Sequence, residues 1–261
     1  MGHRLHVIHA SHPCVAAERA LQLTRQPYRV VEYPPVLHVA AMQLRFGHPT
    51  VPLLVLGNGE RVAGSRAIVR RLDELVPQAG LLPADAVARE RVLAAERWGD
   101  EELQPAVRRL FWLGIKQSPR AIDGYAAGSR LPLPRPLRTL VTPVVCRLAA
   151  WRNRADETSR RADLAALPGW LDDVDQLIAD GVIGGPQPNA ADLQIGSSLR
   201  MLATFADAWP LLAGRPAWQL ARQVCPVYPG EGGLPPGSLT TSGGPASRTS
   251  SLSPAGNPSS A

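Results

Sequence analysis

Strand-like periodicity in this chain is confined to the residues before 64, and everything beyond reads as helix. That asymmetry excludes an all-β protein and demands a compact α/β unit followed by an all-α region. Leu5-His6-Val7-Ile8-His9 reads as a first strand and Tyr28-Arg29-Val30-Val31-Glu32 as a second. Leu53 to Leu56 and Glu60 to Ala63 form a hairpin around Gly57-Asn58-Gly59, residues that tolerate positive φ. A helix is expected from Pro13 to about Leu23, since proline suits a first turn. Pro34-Pro35 breaks the second strand, and 36–46 reads as a short irregular helix. Ser65 starts a third helix that aligns Ile68, Val69, Leu72, Leu75 and Val76 on one face. The order is βαβαββα.

These signals divide the chain into an α/β domain over 1–77, a turn-rich linker over 78–83 and an all-helical domain over 84–228. A long helical region over 84–117 is expected to be interrupted near Gly99 and Pro105. Further helices are expected near 137–155, 159–180, 190–207 and 216–224. The stretch 229–261 holds 21 Gly, Pro or Ser among 33 residues, and is expected to be disordered.

Three widely spaced cysteines, Cys14, Cys146 and Cys225, make neither a disulfide framework nor a zinc pattern. No apolar run approaches the roughly 20 residues that span a bilayer, so a cytoplasmic protein is expected. The net charge of +6 resides in 130–161, where eight arginines face only Asp156 and Glu157. Trp151 is the one aromatic there, and a nucleic-acid surface would interleave more of them, so the cluster reads as a solvated face or an anion-attracting rim. His3, His6, His9 and His12 recur every third residue. A strand alternates faces every second residue, so the rings scatter and no metal site is expected.

Three landmarks carry chemistry. Val51-Pro52 places a proline before a buried strand, where it cannot donate to the ladder; a cis peptide there would turn the backbone groups of Val51 toward a peptide-like ligand. Ser11-His12-Pro13-Cys14 falls where the first strand hands over to the first helix. Its spacing is that of a redox C-x-x-C with Ser in the first position. A helix start stabilises a thiolate, whether the protein's or a ligand's, and a Ser11 hydroxyl bond lowers a thiol pKa. Cys14 is either a buried structural thiol, a reactive nucleophile or a mixed-disulfide former. His12 is a candidate to assist thiol deprotonation. The third landmark, Gly64-Ser65-Arg66, opens a helix whose start suits a carboxylate.

In order and spacing, Ser11, Val51-Pro52 and Gly64-Ser65 resemble the catalytic and ligand-binding groups of the cytosolic-type glutathione transferase superfamily. A C-terminal signature agrees: Gly184-Gly185 followed by Pro188-Asn189-Ala190-Ala191-Asp192 resembles that family's capping box, with Asn189 as cap and Asp192 reaching back. The resemblance spans about 1–225 and implies a thioredoxin-like domain followed by a helical-bundle domain, with a homodimer as the usual assembly. It further implies that Ser11 stabilises the thiolate of glutathione or a related thiol, with no other cofactor. Val51, beside a cis Pro52, would pair with the cysteinyl part, while Ser65 would hold the γ-glutamyl carboxylate and Arg66 would add charge. Gly64 replaces the family's usual acidic residue. Trp98, Phe111, Trp112 and Tyr125 are candidates for the site of an electrophilic acceptor. Alternatives are a Cys14-dependent thiol oxidoreductase and a non-catalytic binding protein of the same fold.

Overall fold

The computed structural model describes residues 2–131, 134–229 and 232–240. Its N-terminal half runs β1 (His3–Val7), α1 (His12–Leu23), β2 (Tyr28–Glu32), α2 (Leu37–Phe46), β3 (Leu53–Val55), β4 (Arg61–Ala63) and α3 (Ser65–Leu75). The strands form one mixed sheet in the order β2-β1-β3-β4. β1 runs parallel to β2, with Leu5 opposite Val30. It runs antiparallel to β3, with Leu5 opposite Leu54, and β3 pairs β4 with Leu54 opposite Val62. The first strand begins and ends two residues earlier than its sequence pattern suggests. Ile8 and His9 belong instead to the turn into α1, which Ala10 enters at φ 56°.

Alternation along the strands decides what each face meets. Leu5, Val7 and Leu54 join α1 and α3 in the main core, while Leu53 and Val55 turn to Met42 of α2. His6 faces the α2 side fully buried, with Nδ1 3.0 Å from the Tyr33 hydroxyl and its ring edge-on to Phe46.

The remainder is helical: α4 (Ala86–Trp98), α5 (Gln104–Gln117), α6 (Ile122–Tyr125), α7 (Arg135–Arg152), α8 (Glu157–Ala179), α9 (Ala190–Leu202), α10 (Trp209–Leu212) and α11 (Pro216–Val224). A π-helical turn, Gly99–Leu103, joins α4 to α5, so the expected interruption is a local widening of one rod. Among the described residues no helix is long and apolar enough to cross a membrane.

Every residue of α9 except Arg200 is buried. It packs on α1 and α3 of the first half and on α4, α5 and α11 of the second. Glycines allow two of those approaches: a Cβ on Gly99 would lie 2.8 Å from Ile195, and one on Gly196 2.7 Å from Val224. The capping box at its start is formed. Asn189 Oδ1 accepts from the amides of Ala191 (2.9 Å) and Asp192 (3.1 Å). Asp192 accepts from Asn189 N (2.8 Å) and Gly184 N (2.7 Å).

One expectation is corrected. Residues 232–240 are folded against the helices, although composition placed them in a disordered tail. Leu234 and Leu239 are buried, and Leu234 bridges Phe205 and fills the space that a Gly114 side chain would need. Asp207 accepts from the amides of Gly237 (2.8 Å) and Leu239 (2.7 Å). Two leucines and one carboxylate anchor the segment, a signal that averaging over a Gly/Pro/Ser-rich stretch conceals. The expected disorder over 241–261 lies outside the described residues.

Leu234→Ala is expected to destabilise the protein by about 2–4 kcal/mol, read from the urea midpoint; an unchanged midpoint would show the segment to be dispensable. Asn189→Ala should cost about 1 kcal/mol. Burial pushes the Asp192 carboxyl from 3.8 up to about 6, against its two backbone hydrogen bonds. Because the folded value is the higher one, this group's contribution is full below about pH 4 and is lost as pH rises through about 6. Asp192→Asn should therefore flatten the decline in stability over that window, measured by urea unfolding at a series of pH values.

Candidate functional site

A cleft of about 1720 Å³ separates the sheet's α1, β3 and α3 edge from the helices α5 and α7. Ser11, the N-cap of α1, lines it. Its hydroxyl makes no cap bond, and the Cys14 side chain follows one turn on. Cys14 lies behind the wall, 3% exposed, and burial pushes its thiol up to about 11 despite the Ser11 bond. This placement is that of the buried structural thiol, one of the three roles considered for Cys14. His12 is also turned from its expected partner. Its Nδ1 lies 2.9 Å from Met201 Sδ on α9, and burial with the charge of Arg108 holds the ring well below its ordinary pKa.

The Val51-Pro52 bond is cis. Val51 lines the cleft, and among the described residues neither its N–H nor its C=O has a protein partner. Pro52 O accepts from Gly64 N at 2.9 Å, which holds the start of α3 beside the same opening. Gly64 takes φ 90°, a conformation that favours glycine, although a side chain would meet nothing within 4 Å. α3 thus presents its unbonded first-turn amides to the cleft.

Both Ser65 and Arg66 line the cleft, and their side chains have protein partners. Ser65 Oγ donates to Gln194 Oε1 (3.0 Å), and Gln194 Nε2 donates to Asp100 Oδ1 (3.1 Å). Arg66 is held by Glu96 (3.5 Å), Asp100 (3.4 Å) and Glu101 (3.4 Å). A carboxylate arriving here would meet backbone amides in place of a free hydroxyl or guanidinium.

On the acceptor side Phe111, Trp112 and Tyr125 line the cleft, with Phe111 edge-on to Trp112 (5.0 Å) and to Tyr125 (4.9 Å). Trp98 does not. It packs against the helical core outside the cleft, a difference from the expected set. Sequence reasoning missed Asp100, Gln104 and Arg108, although their i, i+4, i+8 spacing runs along the helix face that continues to Phe111 and Trp112. Among the described residues no three His, Cys, Asp or Glu side chains gather to hold a metal.

Residues 5–80 match the family model of the glutathione S-transferase N-terminal domain. No curated protein matches the chain in sequence. Among solved structures, a glutathione S-transferase from Rhodospirillum rubrum is similar with a TM-score of 0.55 at 20% identity, covering 87% of this chain and 86% of its own. A sphingomonad glutathione S-transferase complexed with glutathione scores 0.54 at 18% identity, covering 85% and 98%. A β-etherase from a Sphingobium strain scores 0.57 at 16% identity, covering 78% and 84%. Residues 5–80 are therefore similar to a glutathione S-transferase N-terminal domain. The chain as a whole, a thioredoxin-like unit followed by a helical bundle, shares the fold of these solved structures.

All three cysteines are buried. A thiol-labelling time course near neutral pH should leave Cys14, Cys146 and Cys225 unmodified until denaturant is added; rapid labelling of Cys14 in the folded chain would restore it as a nucleophile.

Proposed function

We propose that this protein is a glutathione-transferase-like enzyme that activates glutathione, or a related small thiol, for attack on an electrophilic small molecule. The observation that carries the reading is the placement of Val51, its two backbone groups unbonded beside cis Pro52, in the same cleft wall as Ser11 at the start of α1. A peptide-like thiol that pairs with Val51 brings its sulfur toward the start of α1. There the helix dipole and the Ser11 O–H favour the thiolate. Ser11 is thus the catalytic residue. Gly64 and the first-turn amides of α3 hold a carboxylate of the ligand, with Ser65 and Arg66 as positioning residues that fix that turn against α9 and α4.

The reaction needs no covalent enzyme intermediate. The thiol gives its proton to solvent, the thiolate forms a bond to the electrophilic carbon, and the leaving group departs with its electron pair or the π electrons shift within the acceptor. Phe111 and Trp112 form the apolar wall against which the acceptor lies. The thiol-oxidoreductase alternative finds no support in the buried, protonated Cys14. A homodimer and a cytoplasmic location belong to the proposal; the unpaired cysteines accord with a reducing compartment.

The test is a calorimetric titration with glutathione, followed by conjugation assays across pH. Ser11→Ala should raise the pKa of the bound thiol and lower kcat/KM roughly a hundredfold, as for loss of one donor to a developing anion. Cys14→Ser should leave turnover near that of the unaltered chain. Binding without any conjugation would identify a non-catalytic relative, and failure of several small thiols to bind would overturn the reading.

A further inference from the structure

Helix α7 turns an apolar face away from the protein. Thr142, Cys146, Ala149 and Ala150 form its buried side. Leu137, Leu140, Val144, Leu148 and Trp151 recur at helical spacing on the opposite side, a stripe about 21 Å long at 1.5 Å per residue. These side chains border the cleft, but its far wall does not cover them: Leu140 is 74%, Val144 59% and Trp151 80% exposed. The outer face of a surface helix is ordinarily polar, so this inversion marks a surface that meets something other than water.

The borders of the stripe are basic. At about 100° per residue, Arg147 lies about 60° to one side of Val144 and Arg152 about 80° to the other. Arg154 follows just beyond the end of the helix. All three are exposed, and among the described residues none of their side chains has an ion pair or a hydrogen bond. Elsewhere in the segment the charges are answered: Arg130 meets Glu32, while Arg135 and Arg138 meet Asp123. Residues 130–155 contain six arginines and no acidic residue. The acids that follow are engaged in α8, where Asp156 caps the first turn and Glu157 pairs with Arg160 and Arg161.

Charge decides what covers such a stripe. A second copy of the chain would set basic borders against basic borders whichever way the two helices ran, with no acid between 130 and 155 to offset them. A bilayer surface carrying anionic lipid answers both features together. We propose that α7 is a membrane-surface anchor that lies in the plane of an anionic bilayer. Leu137, Leu140, Val144 and Leu148 enter the boundary between headgroups and acyl chains, and Trp151 takes the interfacial position that suits an apolar ring with a polar N–H. Arg147, Arg152 and Arg154 reach the lipid phosphates from the flanks. No described helix is long and apolar enough to cross a membrane, so the attachment is peripheral. Docked this way, the protein holds its cleft beside the lipid.

The test is flotation of the full chain with vesicles of pure phosphatidylcholine and with vesicles in which about one-third of the lipid is phosphatidylserine. The charged vesicles should bind at least about tenfold more tightly, and raising salt from about 0.1 to 0.5 M should erode most of that preference. Leu140→Asp and Val144→Asp, on exposed side chains, should each remove most of the binding while the urea midpoint stays where it was. Arg147→Gln with Arg152→Gln should weaken binding about twentyfold, roughly fivefold for each guanidinium, and Arg147→Lys with Arg152→Lys should retain most of it. Charged vesicles should shift tryptophan fluorescence to the blue, and Trp151→Phe should abolish the shift. Equal binding to the two vesicles, or binding that survives both Leu140→Asp and the double glutamine variant, would overturn the proposal. So would binding to neither, which leaves the stripe to a protein partner, and so would a dimer that Leu140→Asp dissociates, since a second copy would then cover α7. None of these readouts involves a thiol, so they bear on α7 alone.

Discussion

The burial of α9 is the constraint on which the rest of the architecture depends. A helix buried all round has no amphipathic face to orient it, so its neighbours must supply the register. They do so through contacts of several kinds. The capping box fixes where α9 begins, Gly99 and Gly196 let two other helices approach it closely, and Gln194 joins Ser65 to Asp100 across the two halves. The start of α3 and the polar end of α5 are therefore held to one another through a single helix. The cleft between them inherits its width from that packing.

Polar groups around the cleft divide into those that build it and those left over. Ser65, Arg66, Glu96, Asp100 and Gln194 are linked to one another, joining α3, α4 and α9, although Glu96 Oε1 keeps no hydrogen-bond partner. Burial pushes the Glu96 carboxyl up, while Arg70 and Arg66 oppose the shift, so this inner network balances charge against desolvation locally. Left over are the Val51 backbone, the first-turn amides of α3 and one buried ring nitrogen each of His12 and His38, while Arg108 is bonded to the neutral Gln104. At the start of α3 the left-over groups are amide donors, which suit an anionic group.

Much of this was legible in the sequence, for reasons of different quality. The βαβαββα order followed from periodicity and turn chemistry, and the cis Val51-Pro52 bond from the position of one proline before an apolar run. Asn189 and Asp192 were readable because a capping box is a local device whose partners lie three residues apart. Less accessible was the fate of side chains whose partners are distant in sequence. Ser65 meets Gln194, and His12 meets Met201, through contacts that only the packing of α9 creates. Trp98 and Phe111 look alike as apolar residues on one rod, and the π-helical turn between them decides which faces the cleft.

The packed segment 232–240 has a bearing on the order in which the fold is completed. Leu234 closes a socket formed by Gly114 of α5 and Phe205 beyond α9, elements made well before it. During synthesis the helical half must therefore wait, with that socket open to water, until its last anchor emerges. The thioredoxin-like sheet depends on nothing so late. In timing as well as in topology the two halves are unequal, and residues 232–240 govern when this socket closes.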